Sequence, residues 1–525
     1  MIARIFPFVA WFKRFNPAAL RADGIAGLTV ALVLVPQSMA YAQLAGLPAH
    51  YGLYASFLPP MLAALFGSSM QLATGPVAVV SLMTAASLGP LATAGSEAFI
   101  AYAILLALIV GLFQMALGLL RLGLVVNFLS HPVVNGFTDA AAIIIATSQL
   151  SKMFGVTVDE APHHYETIMR VVEAAMVYTH WPTLIMGVLA FAIMVALKRI
   201  NPRIPYVLVA VAVTTVASWA MGFEHNRQAP LAALKSEQAR ALVSQFNQAM
   251  THADEHAAKR VEVSKQEEAA AKKYGERSLE VLKALHEGTY LTMQIEEDQK
   301  EARLARRALR EMLLEGVPEQ DGGMSFYPQG SIPAGAKADG RVWRLNIGNK
   351  PLKTEALVFS GGGAVVGKVP SGLPPIALPS MDLSALAKLF PYAAIISLLG
   401  FMEAISIAKA MAAKTGQRLD PNQEMIGQGL ANILGAFAKS YPVSGSFSRS
   451  AVSLQAGAVT GLSSVFTGLT VLVVLLFFTP LLYHLPQSVL AAVIMMAVVG
   501  LVNVSGFVHA WKAQWYDGVI SVISF

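Results

Sequence analysis

The chain has 525 residues, of which 55% are hydrophobic and only 13% charged, with a mean hydropathy of +0.55. Soluble proteins carry about a quarter charged residues, so this balance excludes an ordinary soluble globular protein. The formal charge of +6 is no sign of nucleic-acid binding, because the basic side chains gather at the ends of apolar runs, and the lack of cysteine excludes disulfides, thiolate metal sites and cysteine nucleophiles.

Arg4, Lys13, Arg14 and Arg21 precede the first apolar run, Gly24–Ala42. That run is long enough to span, and no small-residue cleavage site marks it as a signal peptide. Ile100–Leu120, Pro182–Leu197, Pro205–Met221 and Leu462–Tyr483 reach or approach the roughly 20 residues a spanning helix needs. The pattern predicts an all-α polytopic membrane protein. Arg121, Lys198, Arg199, Arg203, Lys414, Arg418 and Lys512 continue the basic series, whereas the alternate loops hold few cations, such as Lys152, Arg170 and Lys439. With alternating spans this is the positive-inside pattern and sets the N-terminus in the cytoplasm.

Three regions follow one another: a membrane region over 1–223, a polar region over 224–370, and a second membrane region over 371–525. In the first, "LATGPVAVVSLMTAASLGP" is broken by Gly and Pro. It predicts a half-helix starting at Pro76, since proline suits a first helical turn. A broken helix is tolerated in lipid only where its freed backbone faces protein or water. The second membrane region has a similar element, "PVSGSFSRSAVSLQAG". One interrupted short segment per half is the pattern of an inverted-repeat transporter with its site at the repeat interface.

Between them, Lys235–Glu315 is dense in interleaved charges and in Ala, Leu, Glu, Lys and Arg. It predicts one or two amphipathic helices, a hairpin among the options. "GRVWRLNIG" and "EALVFSGGG" predict short strands. Either a solvated appendage or a partner-binding module fits this insert. His252 and His256 lie four apart without a third ligand, so no metal site is expected. "SGGGAVVGK" continues with Val-Pro rather than Ser or Thr, and is no phosphate-binding loop.

"VPQSMAYAQLAGLPAHYGLYASFLPPMLAALFGSS", "ATGPVAVVSLM", "LSHPVVNGFTDAAAIIIATSQL", "GFMEAISIAKAMA" and "YPVSGSFSRSAVSLQAGAVTGLSS" strongly resemble the SulP anion permeases, in order and over nearly all of both membrane regions. The resemblance implies seven plus seven transmembrane segments in inverted repeat, divided into core and gate domains. It further implies two half-helices whose N-termini face each other across an anion at mid-membrane, beginning near Pro76 and Ser446. The chain ends in "WYDGVISVISF", which looks like the opening of a thirteenth segment. The rest of that segment, a fourteenth and the usual cytoplasmic STAS domain are expected to be missing from it. By span parity the 224–370 insert falls on the extracytoplasmic side.

Individual residues take roles in that light. At the first half-helix, Pro76, Val77 and Ala78 would present backbone N–H groups and a helix dipole to an anion, an ordinary buried helix start being the alternative. Ser446, Phe447 and Ser448 would form the opposing mouth, with the resemblance placing an anion contact at Ser448. Arg449 is a permanent cation inside the membrane, by default a functional residue. It would stabilise the anion through its field, or else form a structural ion pair. Glu403 lies in the apolar "ISLLGFMEAISIAKA". A carboxylate there is suited to binding a proton near neutral pH and so to coupling proton and anion movement, or to binding sodium; a fixed pairing with Arg449 or Lys409 is the alternative. Gln37 and Tyr41, four apart on one helix face, would line the site by resemblance; from spacing alone they fit equally between packed helices. Asp139 and His131 receive no role.

The expected function is therefore secondary transport of an inorganic oxyanion, most plainly sulfate, by proton symport with alternating access in a bacterial inner membrane. Sodium-coupled bicarbonate, dicarboxylate or chloride transport on the same fold is the near alternative. A membrane scaffold or sensor acting through the insert is the alternative of another class. No nucleophile–base set suggests an enzyme, no cofactor is implied, and the partners expected are the anion, the coupling ion and the bilayer. A homodimer stays open.

Overall fold

The computed structural model describes residues 6–14, 16–89, 91–92, 94–123, 131–159, 161, 163–201, 204–275, 277–319, 322–348, 350–379 and 383–499. The expected thirteenth segment and Lys512 lie outside them. In chain order the elements are α1 (Pro17–Leu44), α2 (His50–Phe66), β1 (Ala73–Gly75), α3 (Ala78–Leu88), α4 (Glu97–Leu119), α5 (His131–Ser148), α6 (Leu150–Phe154), α7 (His164–Val177), α8 (Trp181–Ile200) and α9 (Tyr206–Ala220). Then come β2 (Asn226–Ala229), α10 (Glu237–Tyr274), α11 (Leu279–Glu311), β3 (Leu314–Pro318), β4 (Met324–Pro328), β5 (Val342–Leu345) and β6 (Leu357–Ser360). The last group is α12 (Leu383–Thr415), α13 (Pro421–Phe437), β7 (Ser444–Ser446), α14 (Phe447–Gln455), α15 (Leu462–Val473) and α16 (Gln487–Val499).

The chain divides into two units. The first comprises Met1–Gly155, His180–Met221 and Ala364–Phe525. Among its described residues, five helices are long and apolar enough to cross a membrane: Pro17–Leu44, Glu97–Leu119, Trp181–Ile200, Ala385–Thr415 and Leu462–Leu482. The last continues α15 through a π turn and a short 3-10 turn. The result is a polytopic helical membrane protein, as composition predicts.

Within this unit α13 lies between α2 and α4, and α15 lies against α1 and α2. Lipid offers no hydrophobic drive for helix association, so close backbone approach through small residues takes its place. A Cβ added to Gly111 of α4 would lie 2.7 Å from the carbonyl of Gly429 in α13, and one on Gly429 would lie 2.9 Å from the carbonyl of Gly111. This reciprocal contact seats α13 deep against α4. The sequence order long helix, helix, three-residue strand, short helix, helix occurs twice, as α1-α2-β1-α3-α4 and α12-α13-β7-α14-α15.

The second unit comprises Val156–Thr179 and Gly222–Gly363. α10 and α11 form the long helical hairpin that the charged stretch allows, each started by a serine cap, Ser236 accepting from Ala239 N–H and Ser278 from Val281 N–H. Beside them stands a five-stranded antiparallel sheet in the order β2-β6-β5-β3-β4, whose β5 and β6 are the two strands expected from sequence. Its core joins Phe246 of α10 and Leu309 of α11 to Phe326, Trp343 and Phe359 of the sheet. Phe326 and Phe359 stack at 3.8 Å, and Trp343 meets Phe326 edge-on at 5.3 Å. His256 Nδ1 pairs with Asp298 at 2.7 Å.

Candidate functional site

The two short strands pair with each other. β1 and β7 run antiparallel in the register Ala73 with Ser446, Thr74 with Gly445 and Gly75 with Ser444. Each strand leads straight towards a short helix, so α3 and α14 leave this pair from its opposite ends with their N-termini beside it. The first helix begins at Ala78 with Val77 as its N-cap, two residues after the expected start at Pro76. Pro76 instead follows the strand residue Gly75, and the extended backbone of Val77 delays the first turn. No side chain caps α3, which leaves its first N–H groups to other acceptors. α14 begins at Phe447, and its cap Ser446 accepts from Arg449 N–H at 3.5 Å.

Arg449 is fully buried. Its Nη1 donates to Gln37 Oε1 at 3.4 Å, while Nε and Nη2 have no hydrogen-bond partner among the described residues. Nη2 lies over the Gly75 backbone: a Cβ there would come within 3.3 Å of it, and Gly75 holds φ +150°, a region that favours glycine. A side chain on Gly75 would therefore press on the guanidinium.

The remaining expected residues distribute around this point. Pro76, Val77 and Ala78 are buried at the start of α3, and Gln37 and Tyr41 are buried on α1. Ser446 is buried, whereas Phe447 and Ser448 are exposed, and the Ser446 and Ser448 hydroxyls lie 3.4 Å apart. Glu403 is half-buried on α12, on the turn that rests against β7: Ser444 Oγ donates to the Gly400 carbonyl at 2.7 Å, and a Cβ on Gly445 would lie 3.1 Å from Ala404 Cα. Glu403 interacts electrostatically with both Arg449 and Tyr41. Among the described residues no ion pair within 4.0 Å joins Glu403 to Arg449.

Sequence reasoning missed the polar frame that holds this geometry. Glu424, Gln428 and Asn432 recur every fourth residue on α13, all buried. Glu424 accepts from the Ser68 and Ser69 N–H groups, each at 2.8 Å, and so fixes the approach to β1. Gln428 donates to Thr74 Oγ1 at 2.8 Å, and Asn432 accepts from Val443 N–H at 2.8 Å and donates to Gln114 Oε1 at 3.1 Å. Asp23 of α1, also buried, takes Val459 N–H at 2.7 Å, Thr460 N–H at 3.0 Å and the Thr460 hydroxyl at 2.6 Å, just past the end of α14. The buried Tyr441 hydroxyl lies 3.2 Å from Ser81 Oγ. Three polar residues spaced four apart inside an apolar helix are a readable signal of such a network.

With this geometry in place, comparison with known proteins is informative. The sequence matches the sulfate permease family over residues 20–261 and 351–524. It is 31% identical over 519 residues to sulfate transporter 4.1, chloroplastic, of Arabidopsis thaliana, covering 98% of this chain and 56% of that protein. It is 27% identical over 539 residues to the sodium-independent sulfate anion transporter of Bos taurus, covering 99% of this chain and 68% of that protein. The chain thus spans little more than half the length of several of the curated relatives it matches. Among solved structures, SLC26A9 superposes with a TM-score of 0.68 at 20% identity over 100% of this chain and 64% of that one. The transmembrane domain of a cyanobacterium bicarbonate transporter, BicA, does so with a TM-score of 0.63 at 18% identity, over 97% and 96%. These two likenesses concern the fold. The family match, which takes in α1, β1, β7 and the helices that follow them, makes this chain a member of the sulfate permease family, whose proteins are anion transporters and not enzymes.

Proposed function

We propose that the chain carries an inorganic oxyanion, sulfate, across a membrane by proton symport. The observation that carries this reading is the buried Arg449, with two guanidinium nitrogens lacking partners among the described residues, set beside a strand pair that starts two half-helices. An oxyanion held there would accept from the first N–H groups of α3 and α14 and lie in the Arg449 field, with Ser446 and Ser448 as hydroxyl donors, Phe447 contributing its amide, and Gln37 and Tyr41 completing the wall. Sulfate carries two negative charges against one cation. Glu403 taking up a proton removes a further negative charge from the neighbourhood and makes the loaded site closer to neutral. That is a physical reason for proton and anion to move together.

Transport would proceed by alternating access, a core containing the strand pair shifting against a gate. The N-terminus would lie in the cytoplasm, the membrane would be a bacterial inner membrane, and the 224–370 region would be extracytoplasmic.

Reconstituted protein should take up labelled sulfate faster when an inward proton gradient is imposed, and Glu403→Gln should abolish that acceleration. Uptake indifferent to the gradient would sink the coupling. Competition by bicarbonate, dicarboxylates and chloride ranks the cargo, and replacing the proton gradient by sodium tests the other coupling ion.

A further inference from the structure

The second unit encloses a cavity of about 330 Å³ that has no place in the transport reading. Its wall combines the chain entering α7, the last turns of α7, the C-terminal end of α11 and strand β5. Four arginines line it: Arg170, Arg307, Arg310 and Arg344. Behind them Arg306 bonds Asp159 at 3.1 Å. Against the four lining arginines stand Asp159, Glu173 and Glu311, so among the described residues the wall carries one positive charge in excess.

The pairing is uneven: Arg307 Nε holds Glu311 at 2.9 Å, and Arg170 Nη1 donates to the Asp159 carbonyl at 3.2 Å. Asp159 is consumed by Arg306 and by Arg310 Nη1 at 2.6 Å, and Arg310 Nη2 donates to the Ile347 carbonyl at 2.6 Å. This fixes the Arg310 guanidinium and leaves its buried Nε without a hydrogen-bond partner among the described residues. A rigid arginine with a spare N–H in a low-dielectric wall favours an anionic acceptor. Arg344 lies 4.8 Å from the centre of the Tyr178 ring, a flat cationic and aromatic surface on the same wall. The rest of the lining is apolar and includes Ala174 and Leu313.

We propose that this cavity binds a small organic anion, with a carboxylate, phosphate or sulfate-ester head on a compact apolar or aromatic body. The head meets Arg310, Arg307 and Arg170; the body lies against Tyr178, Arg344 and the apolar wall. The volume falls at the lower end of small-molecule pockets, about 300–1,000 Å³, which suits a single ring rather than a dinucleotide or a peptide. An inorganic ion alone would leave the apolar part of the cavity unfilled.

Calorimetric titration of the purified full chain with phenyl phosphate, benzoate and benzyl alcohol, in sulfate-free buffer, tests this. The anions should bind saturably and the neutral alcohol should not. Arg170→Gln should weaken the binding roughly tenfold or more, as expected for loss of one charge-assisted contact. Ala174→Trp, which fills the cavity without removing a charge, should abolish it, and far-ultraviolet circular dichroism of both variants should match the parent. Arg449→Gln should bind as the parent does, which separates this cavity from the transport site. The proposal is overturned if neither anion binds, if the alcohol binds as well as the anions, if Ala174→Trp binds normally, or if Arg449→Gln abolishes the binding.

Discussion

Asp23 ties α1 to the segment that follows the half-helix α14, and replacing it should loosen that half-helix without touching Arg449. The carboxylate is buried and accepts three hydrogen bonds, two from the backbone of Val459 and Thr460 and one from the Thr460 hydroxyl. Hydrogen bonds to a charged group contribute about 1.5–3 kcal/mol each, and a buried donor left without a partner costs about 1–3 kcal/mol. Asp23→Ala strands two backbone N–H groups and so should destabilise the fold by roughly 2–6 kcal/mol. Asp23→Asn keeps one carbonyl oxygen for the two N–H groups, loses the charge and the second oxygen, and should cost only about 1–2 kcal/mol. Thermal unfolding of the purified protein in detergent should therefore rank parent, Asn variant and Ala variant in falling order. Sulfate uptake per folded molecule in proteoliposomes should fall in the same order. An Asp23→Ala protein that melts with the parent and transports at the parental rate would refute the argument.

Two further outcomes follow from packing. Gly75→Ala places a methyl group 3.3 Å from Arg449 Nη2 and 3.6 Å from Leu34 Cδ1, on a backbone at φ +150°. It should raise the KM for sulfate with little loss of membrane-inserted protein, and an unchanged KM would show that Arg449 does not rest over this residue during binding. Trp343→Ala removes a fully buried indole that packs edge-on against Phe326 and donates to Asp339 at 3.0 Å. A truncation of this size costs about 3–5 kcal/mol. The polar region should become sensitive to limited proteolysis, and parental resistance would contradict the core described for it.

The membrane class was legible because apolar runs of spanning length need no tertiary knowledge, and the half-helices because Gly-Pro and Gly-Ser interrupt such runs. Arg449 stood out by charge alone. The pairing of β1 with β7 was not legible: three residues per strand give no periodicity, and the partner lies in the other half of the chain. Asp23, Glu424, Gln428 and Asn432 carry their meaning only once the loops they hold are in place, although the last three share one face of α13 at a spacing open to inspection. In the polar region, strands such as "VWRL" and "LVFS" carry β-branched and aromatic residues, whereas "NRQA" and "LEGVP" become strands through the neighbours that pair with them.

The strand pair also has a consequence for biogenesis. Ala73 and its partner Ser446 lie 373 positions apart. At about 5–20 residues per second, the ribosome takes roughly 20–75 s to deliver the second strand after the first. Unpaired backbone groups in lipid cost several kcal/mol each. During that interval the first half of the protein holds an unfinished crossing, which must stay beside water or under the care of the insertion machinery until the second half arrives to close it.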